Sequence, residues 1–124
     1  MQIVLDTNVL VRFFTNDVAE KAEKVEKLLE KSSLYIPDVV FPELEYVLTN
    51  GYNTQREEIV TIYRYLLAKK NIHVSSRIKR AVSLFETTKL DMADCIIASY
   101  SLKGELASFD KKLLSIEEIK PFWK

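Results

Sequence analysis

The chain has 124 residues, the length of one ordinary domain. Of these 48% are hydrophobic and only two are glycine and three proline, which is enough apolar material for a core and excludes long disorder. Eighteen basic and eighteen acidic side chains cancel to a formal net charge of zero, so no global basic field attracts nucleic acid. One cysteine excludes an internal disulfide or a multi-thiolate zinc site, and one histidine argues against histidine-rich metal chemistry.

Along the chain, Gln2-Ile3-Val4-Leu5 reads as a short buried strand, continuous, apolar and rich in β-branched residues. Asp6-Thr7-Asn8 offers capping and turn side chains, residues 9–14 form a short helix, and Asn16-Asp17 breaks it. Residues 20–31 are amphipathic, with Ala22, Val25, Leu28 and Leu29 on one face. Leu34-Tyr35-Ile36 is a second strand, ended by Pro37-Asp38. A helix over 39–49 takes Pro42 in its first turn, turns Leu44, Val47 and Leu48 inward, and stops at Asn50-Gly51.

Residues 56–69 repeat the amphipathic pattern through Ile59, Ile62, Tyr63, Leu66 and Leu67, and Ile72-His73-Val74 is a third strand. Ser75-Ser76 caps a helix over 77–87. Asp91 caps another over 92–103, which Gly104 ends. Residues 105–109 read as a fourth strand and 119–123 as a weak edge strand, where Pro121 is tolerated. Strands alternating with helices predict a single α/β domain over 1–124, an α/β/α sandwich around a central, mostly parallel sheet of four or five strands. No apolar run is long enough to cross a membrane, and the amino terminus starts on a strand-like segment instead of a leader, so the cytoplasm is the simplest location.

Four acids stand beside these apolar segments: Asp6 after the first strand, Glu43 near a helix start, Asp94 opening an apolar helix and Asp110 after the fourth strand. In open α/β sheets ligands bind beyond the carboxyl ends of the strands, where Asp6 and Asp110 fall. Converging carboxylates repel one another unless a cation neutralises them, and an all-oxygen set points to Mg2+ or Mn2+. That is the chemistry of a metal-dependent nuclease.

Each acid also has a plainer reading. Asp6 and Thr7 serve as helix caps, Glu43 complements a helix dipole, Asp91 and Asp94 form a capping arrangement, and Asp110 is a turn residue paired with a lysine. Asn8 orients Asp6 or shapes the turn, and Ser108 is an ordinary strand hydroxyl. Cys95 reads as a core residue because the only histidine, His73, lies in an apolar strand. Lysines 21–31 read as a solvated helix face, while Arg12, Arg77, Lys79, Arg80, Lys111 and Lys112 are the candidate phosphate contacts.

Four segments together carry a family likeness. Leu5-Asp6-Thr7-Asn8-Val9-Leu10 resembles the opening signature of PIN domains. Glu43-Leu44-Glu45-Tyr46-Val47-Leu48 resembles their second acidic motif, Asp91-Met92-Ala93-Asp94-Cys95-Ile96-Ile97-Ala98 the third and Ser108-Phe109-Asp110-Lys111-Lys112-Leu113 the fourth. The order and spacing span nearly the whole chain, and the length is similar to that of VapC-type toxins.

The resemblance implies a PIN-like fold with Asp6, Glu43, Asp94 and Asp110 as metal-binding acids, and Asn8, Asp91 and Ser108 as polar support. It further implies a Mg2+- or Mn2+-dependent endoribonuclease that cleaves single-stranded or structured RNA as the toxin of a toxin–antitoxin pair. The expected partners are an antitoxin protein and a second copy in a homodimer. The competing expectation is a non-catalytic PIN-like domain that binds nucleic acid or protein.

Overall fold

The structure is a computed structural model that describes residues 2–123. The chain divides into two compact units, one up to Ser75 and one from Ser76 onward.

The first unit runs β1 (Ile3–Val4), α1 (Thr7–Thr15), α2 (Ala19–Lys31), β2 (Leu34–Tyr35), α3 (Val40–Tyr52), α4 (Arg56–Ala68) and β3 (Ile72–His73). Helices lie between successive strands, as parallel pairing requires. The three strands are parallel in the order β1-β2-β3, with Ile3 opposite Leu34, Val4 opposite Tyr35, Leu34 opposite Ile72 and Tyr35 opposite His73. The α/β class and the parallel sheet therefore follow the predicted alternation.

One expectation changes. The first strand is not buried throughout: Ile3 is 43% and Val4 63% exposed, and only Leu5 enters the core. β1 is an edge of this three-stranded sheet, and an edge strand has a neighbour on one side only. Central β2 is different, with Leu34 and the following Ile36 fully buried.

Helix ends follow side-chain chemistry. Asn16, at φ 52°, terminates α1 in the left-handed region, where its N–H donates to the Arg12 carbonyl. α3 runs through the predicted stop at Asn50-Gly51 to Tyr52 and ends at Asn53, also left-handed at φ 53°. Asparagine tolerates that conformation better than most residues. At the start of α4, the Glu58 carboxylate accepts the Gln55 N–H at 3.1 Å.

Two buried or half-buried polar links brace this unit. The Tyr63 hydroxyl donates to the Phe41 carbonyl at 2.6 Å, and the two rings meet at 5.3 Å between centroids. The Asn71 amide donates to the carbonyls of Leu29 at 2.7 Å and Ser32 at 2.8 Å, closing the carboxyl end of α2 just before β2. Asn71→Ala strips both carbonyls of a donor and is expected to cost about 1–3 kcal/mol, read as a lower urea midpoint at unchanged slope.

The second unit contains α5 (Ser76–Thr87), α6 (Met92–Ser101) and α7 (Lys111–Leu114). α5 packs on α6, with Ile78, Ala81, Val82 and Phe85 of the one and Met92, Cys95 and Ala98 of the other all buried. Cys95 is thus a core residue, as expected. The predicted fourth and fifth strands shrink to one parallel bridge, Leu106 with Pro121. The Leu106 N–H donates to the Lys120 carbonyl at 2.8 Å, and the Phe122 N–H donates to the Leu106 carbonyl at 2.9 Å. Pro121 has no N–H, so it adds no donor of its own to a ladder. The short helix α7, absent from the sequence reading, begins right after Asp110. Among the described residues no helix is long and apolar enough to cross a membrane.

Candidate active site

In the first unit, the chain leaves β1 and enters α1 through Asp6, whose extended backbone puts its carboxylate over the helix start. Its Oδ1 accepts the Thr7 N–H at 2.7 Å. The capping role is therefore real, and Asp6 remains exposed. Thr7 is buried, and its hydroxyl donates to Glu43 Oε1 at 3.4 Å. This long contact brings the Asp6–Thr7 turn beside the first turn of α3.

Glu43 faces solvent because Val40, Phe41, Leu44 and Leu48 claim the buried face of α3. The Tyr63 hydroxyl on the Phe41 carbonyl holds that turn in place. Residue order alone marks Thr7 only as a cap candidate. Its link to Glu43 spans 36 positions and leaves no local signature.

Asn8 and Arg12 of α1 line a pocket of about 310 Å3 with Lys21 and Lys24 of α2. These two lysines had read as part of a solvated face. Arg12 is engaged as well: its guanidinium lies 2.8 Å from Asp17, which also accepts the Tyr52 hydroxyl at 2.7 Å. The Tyr52 bond, followed by Arg12, holds the Asp17 carboxyl below its ordinary range. His73, expected inside an apolar strand, is exposed.

In the second unit, Asp91 caps α6, its Oδ1 accepting the Asp94 N–H at 2.9 Å. Asp110 caps α7, its Oδ1 accepting from Lys112 at 2.9 Å and Leu113 at 3.3 Å. The Ser108 hydroxyl accepts the Asp110 N–H at 3.0 Å and so shapes the turn before it. Asp94 is half-buried. Its carboxyl is pushed above the usual carboxylate range, chiefly by burial and then by the negative charges of Asp91 and Asp110. The third and fourth acidic segments therefore act on each other within this unit.

The basic candidates here are partly occupied. Arg77 stacks over the Tyr100 ring at 4.3 Å and Arg80 pairs with Glu118. Arg77, Arg80 and Lys103 line a pocket of about 280 Å3 with Ser76, Ser99 and Tyr100. Lys79, Lys111 and Lys112 are exposed.

Among the described residues, no group of three or more histidine, cysteine, aspartate or glutamate side chains is arranged to hold a metal ion. The candidate donors are carboxylate oxygens. That set suits a hard cation such as Mg2+, which keeps several waters and takes only one or two carboxylates directly. A cation there would relieve the like charge crowding Asp94. The capping bonds of Asp6, Asp91 and Asp110 all run to Oδ1, and a carboxylate has lone pairs for further partners.

Comparison with known proteins adds two findings. The sequence model of the PIN domain matches residues 3–119. A VapC ribonuclease of Aquifex aeolicus (strain VF5) is 29% identical over 131 residues, covering 96% of this chain and 96% of that protein. No solved structure matches the chain significantly.

Proposed function

The chain belongs to the PIN domain family, and from that premise we propose that it is a metal-dependent endoribonuclease, the toxin of a toxin–antitoxin pair. The observation carrying this reading is that a family match over residues 3–119 coincides with Asp6, Glu43, Asp94 and Asp110 in four motifs in order. The likeness to a VapC ribonuclease over nearly the full length of both chains supports it.

Asp6, Glu43, Asp94 and Asp110 are the acids that would hold Mg2+ or Mn2+. When bound, the cation supplies charge stabilisation at the phosphate and a more acidic water. The chain's own groups do the rest. Asp6 and Asp94 would be the main anchors, and Glu43, which accepts from the Thr7 hydroxyl at 3.4 Å, would complete that shell or orient water for in-line attack on phosphorus. Asp110 would hold a second ion or a water ligand. Asn8, Asp91 and Ser108 keep the anchor turns in shape. Arg12, Arg77, Lys79, Arg80, Lys111 and Lys112 meet backbone phosphates, and Lys21 and Lys24 join Arg12 in that task. In this reading the protein is cytoplasmic and homodimeric, and an antitoxin silences it by placing a basic side chain among the acids.

A metal titration tests the enzyme against the non-catalytic alternative. Mn2+ at a hundredfold excess over its dissociation constant is expected to stabilise the wild type by about 2.7 kcal/mol, read as a higher melting temperature. Asp6→Asn should lose most of that gain together with cleavage of single-stranded RNA. Metal indifference with intact RNA affinity would establish the binding module instead. Parallel assays with single-stranded DNA and a small phosphomonoester define the substrate class.

A further inference from the structure

The second unit exposes an aromatic surface beside Asp110 that its core does not use. Phe109 is 87% exposed and Trp123 is 53% exposed. Their rings lie parallel, 6° apart in plane and 4.9 Å between centroids. Phe122 adds a T-shaped contact with Trp123 at 5.4 Å and 81°. Stacking occupies one face of Phe109, so an exposure of 87% leaves the other face open to water. A phenylalanine left in water forgoes about 1.5–3 kcal/mol of burial.

Asp110 continues from Phe109 in extended conformation. Successive side chains of an extended segment leave on opposite sides. The carboxylate of Asp110 acts on Asp94, while the ring of Phe109 stands clear in solvent. The two residues are about 3.8 Å apart at Cα, less than the spacing of successive nucleotides. Lys111 and Lys112 follow at once and are exposed, and Lys120 is exposed beside the Leu106–Pro121 bridge. An exposed π-face followed in the chain by exposed lysines is complementary to a nucleobase on a phosphate backbone.

We propose that the Phe109–Trp123 pair is a stacking platform for an unpaired RNA base, seated within a nucleotide or two of the phosphate handled at Asp110. The inference rests on the ribonuclease reading and deepens it. The base becomes the third ring of an existing stack, on the open face of Phe109. Stacking is tolerant of base identity, so the platform selects single-stranded over paired RNA without demanding a sequence.

Trp123 is the only tryptophan, so its fluorescence reports on the platform. The probes are a single-stranded RNA of about ten nucleotides and an abasic ribose-phosphate oligomer of equal length, both in EDTA so that nothing is cut. RNA should quench Trp123 and the abasic chain should not. Phe109→Ala should weaken RNA affinity by about 5- to 150-fold, while Phe109→Tyr retains it. Phe109→Leu keeps apolar bulk without a π-face, so it should fail like alanine and serves as the test if the alanine variant does not fold.

Equal quenching by the abasic chain, or unchanged affinity in Phe109→Ala, overturns the platform. Unchanged RNA affinity combined with lost self-association in Phe109→Ala assigns the rings to a protein contact and overturns it too. A wild type that cleaves RNA with Trp123 silent defeats the platform and leaves the nuclease standing. A wild type that neither binds nor cleaves RNA defeats both.

Discussion

Asp94→Asn is expected to lower RNA cleavage by more than about 100-fold without harming the fold. Loss of a group that only supports a metal ligand costs about 10- to 100-fold, so loss of a proposed ligand should cost more. Folding should survive because the amide is isosteric and adds an N–H donor toward Asp91, whose charge now opposes Asp94.

The same variant makes a prediction in the absence of metal. The folded-state affinity of Asp94 for a proton is raised above its ordinary value of 3.8. The stability linked to that shift is present in full below the ordinary carboxylate range and lost as pH rises through the folded value. At neutral pH the wild type therefore bears a charge that folding disfavours, and Asp94→Asn removes it. The variant should melt higher than wild type at neutral pH in EDTA, and the gap should shrink on acidification toward about pH 3. A lower melting temperature for the variant throughout would refute the idea that Asp94 carries unfavourable charge. Mn2+ should narrow the gap from the other side by stabilising the wild type.

Phe41→Ala should produce the largest loss of stability, about 3–5 kcal/mol. Phe41 is fully buried and packs its ring against Tyr63, itself fully buried. Removing the ring opens a cavity at the start of α3, two residues before Glu43. The melting temperature should fall by about 10–20 °C for a chain of this size. Tyr63→Phe isolates the polar part of the same contact. It leaves the Phe41 carbonyl without the hydroxyl that now donates to it at 2.6 Å, at a cost of about 1–3 kcal/mol. If Phe41→Ala cost no more than Tyr63→Phe, packing at this point would be loose and the brace under Glu43 would be the hydrogen bond alone.

Much of the architecture is legible in residue order. The helix with Ala22, Val25 and Leu29 inward is α2, and the one with Ile59, Tyr63 and Leu66 inward is α4. Both announce themselves by apolar spacing that repeats over three turns. Asp6 and Asp91 were legible as caps because a cap is a relation between neighbours. Gly51 misled because α3 carries a glycine inside and ends on Asn53; glycine weakens a helix but does not oblige it to stop. The strand expected at 105–109 carried β-like composition, yet it pairs only at Leu106, since strand pairing depends on a partner elsewhere in the chain.

The candidate site divides the same way. Residue order alone gave the four acids, their oxygen chemistry and the family likeness, because motif chemistry is written in consecutive positions. Tertiary structure alone decided that Thr7 lies beside Glu43, that Asp94 feels Asp91 and Asp110, that Lys21 and Lys24 share a pocket with Arg12, and that Phe109 lies flat on Trp123. Local preference reaches about one helical turn along the chain, whereas electrostatic repulsion, hydrogen bonding and ring stacking act through space between residues that only folding brings within reach.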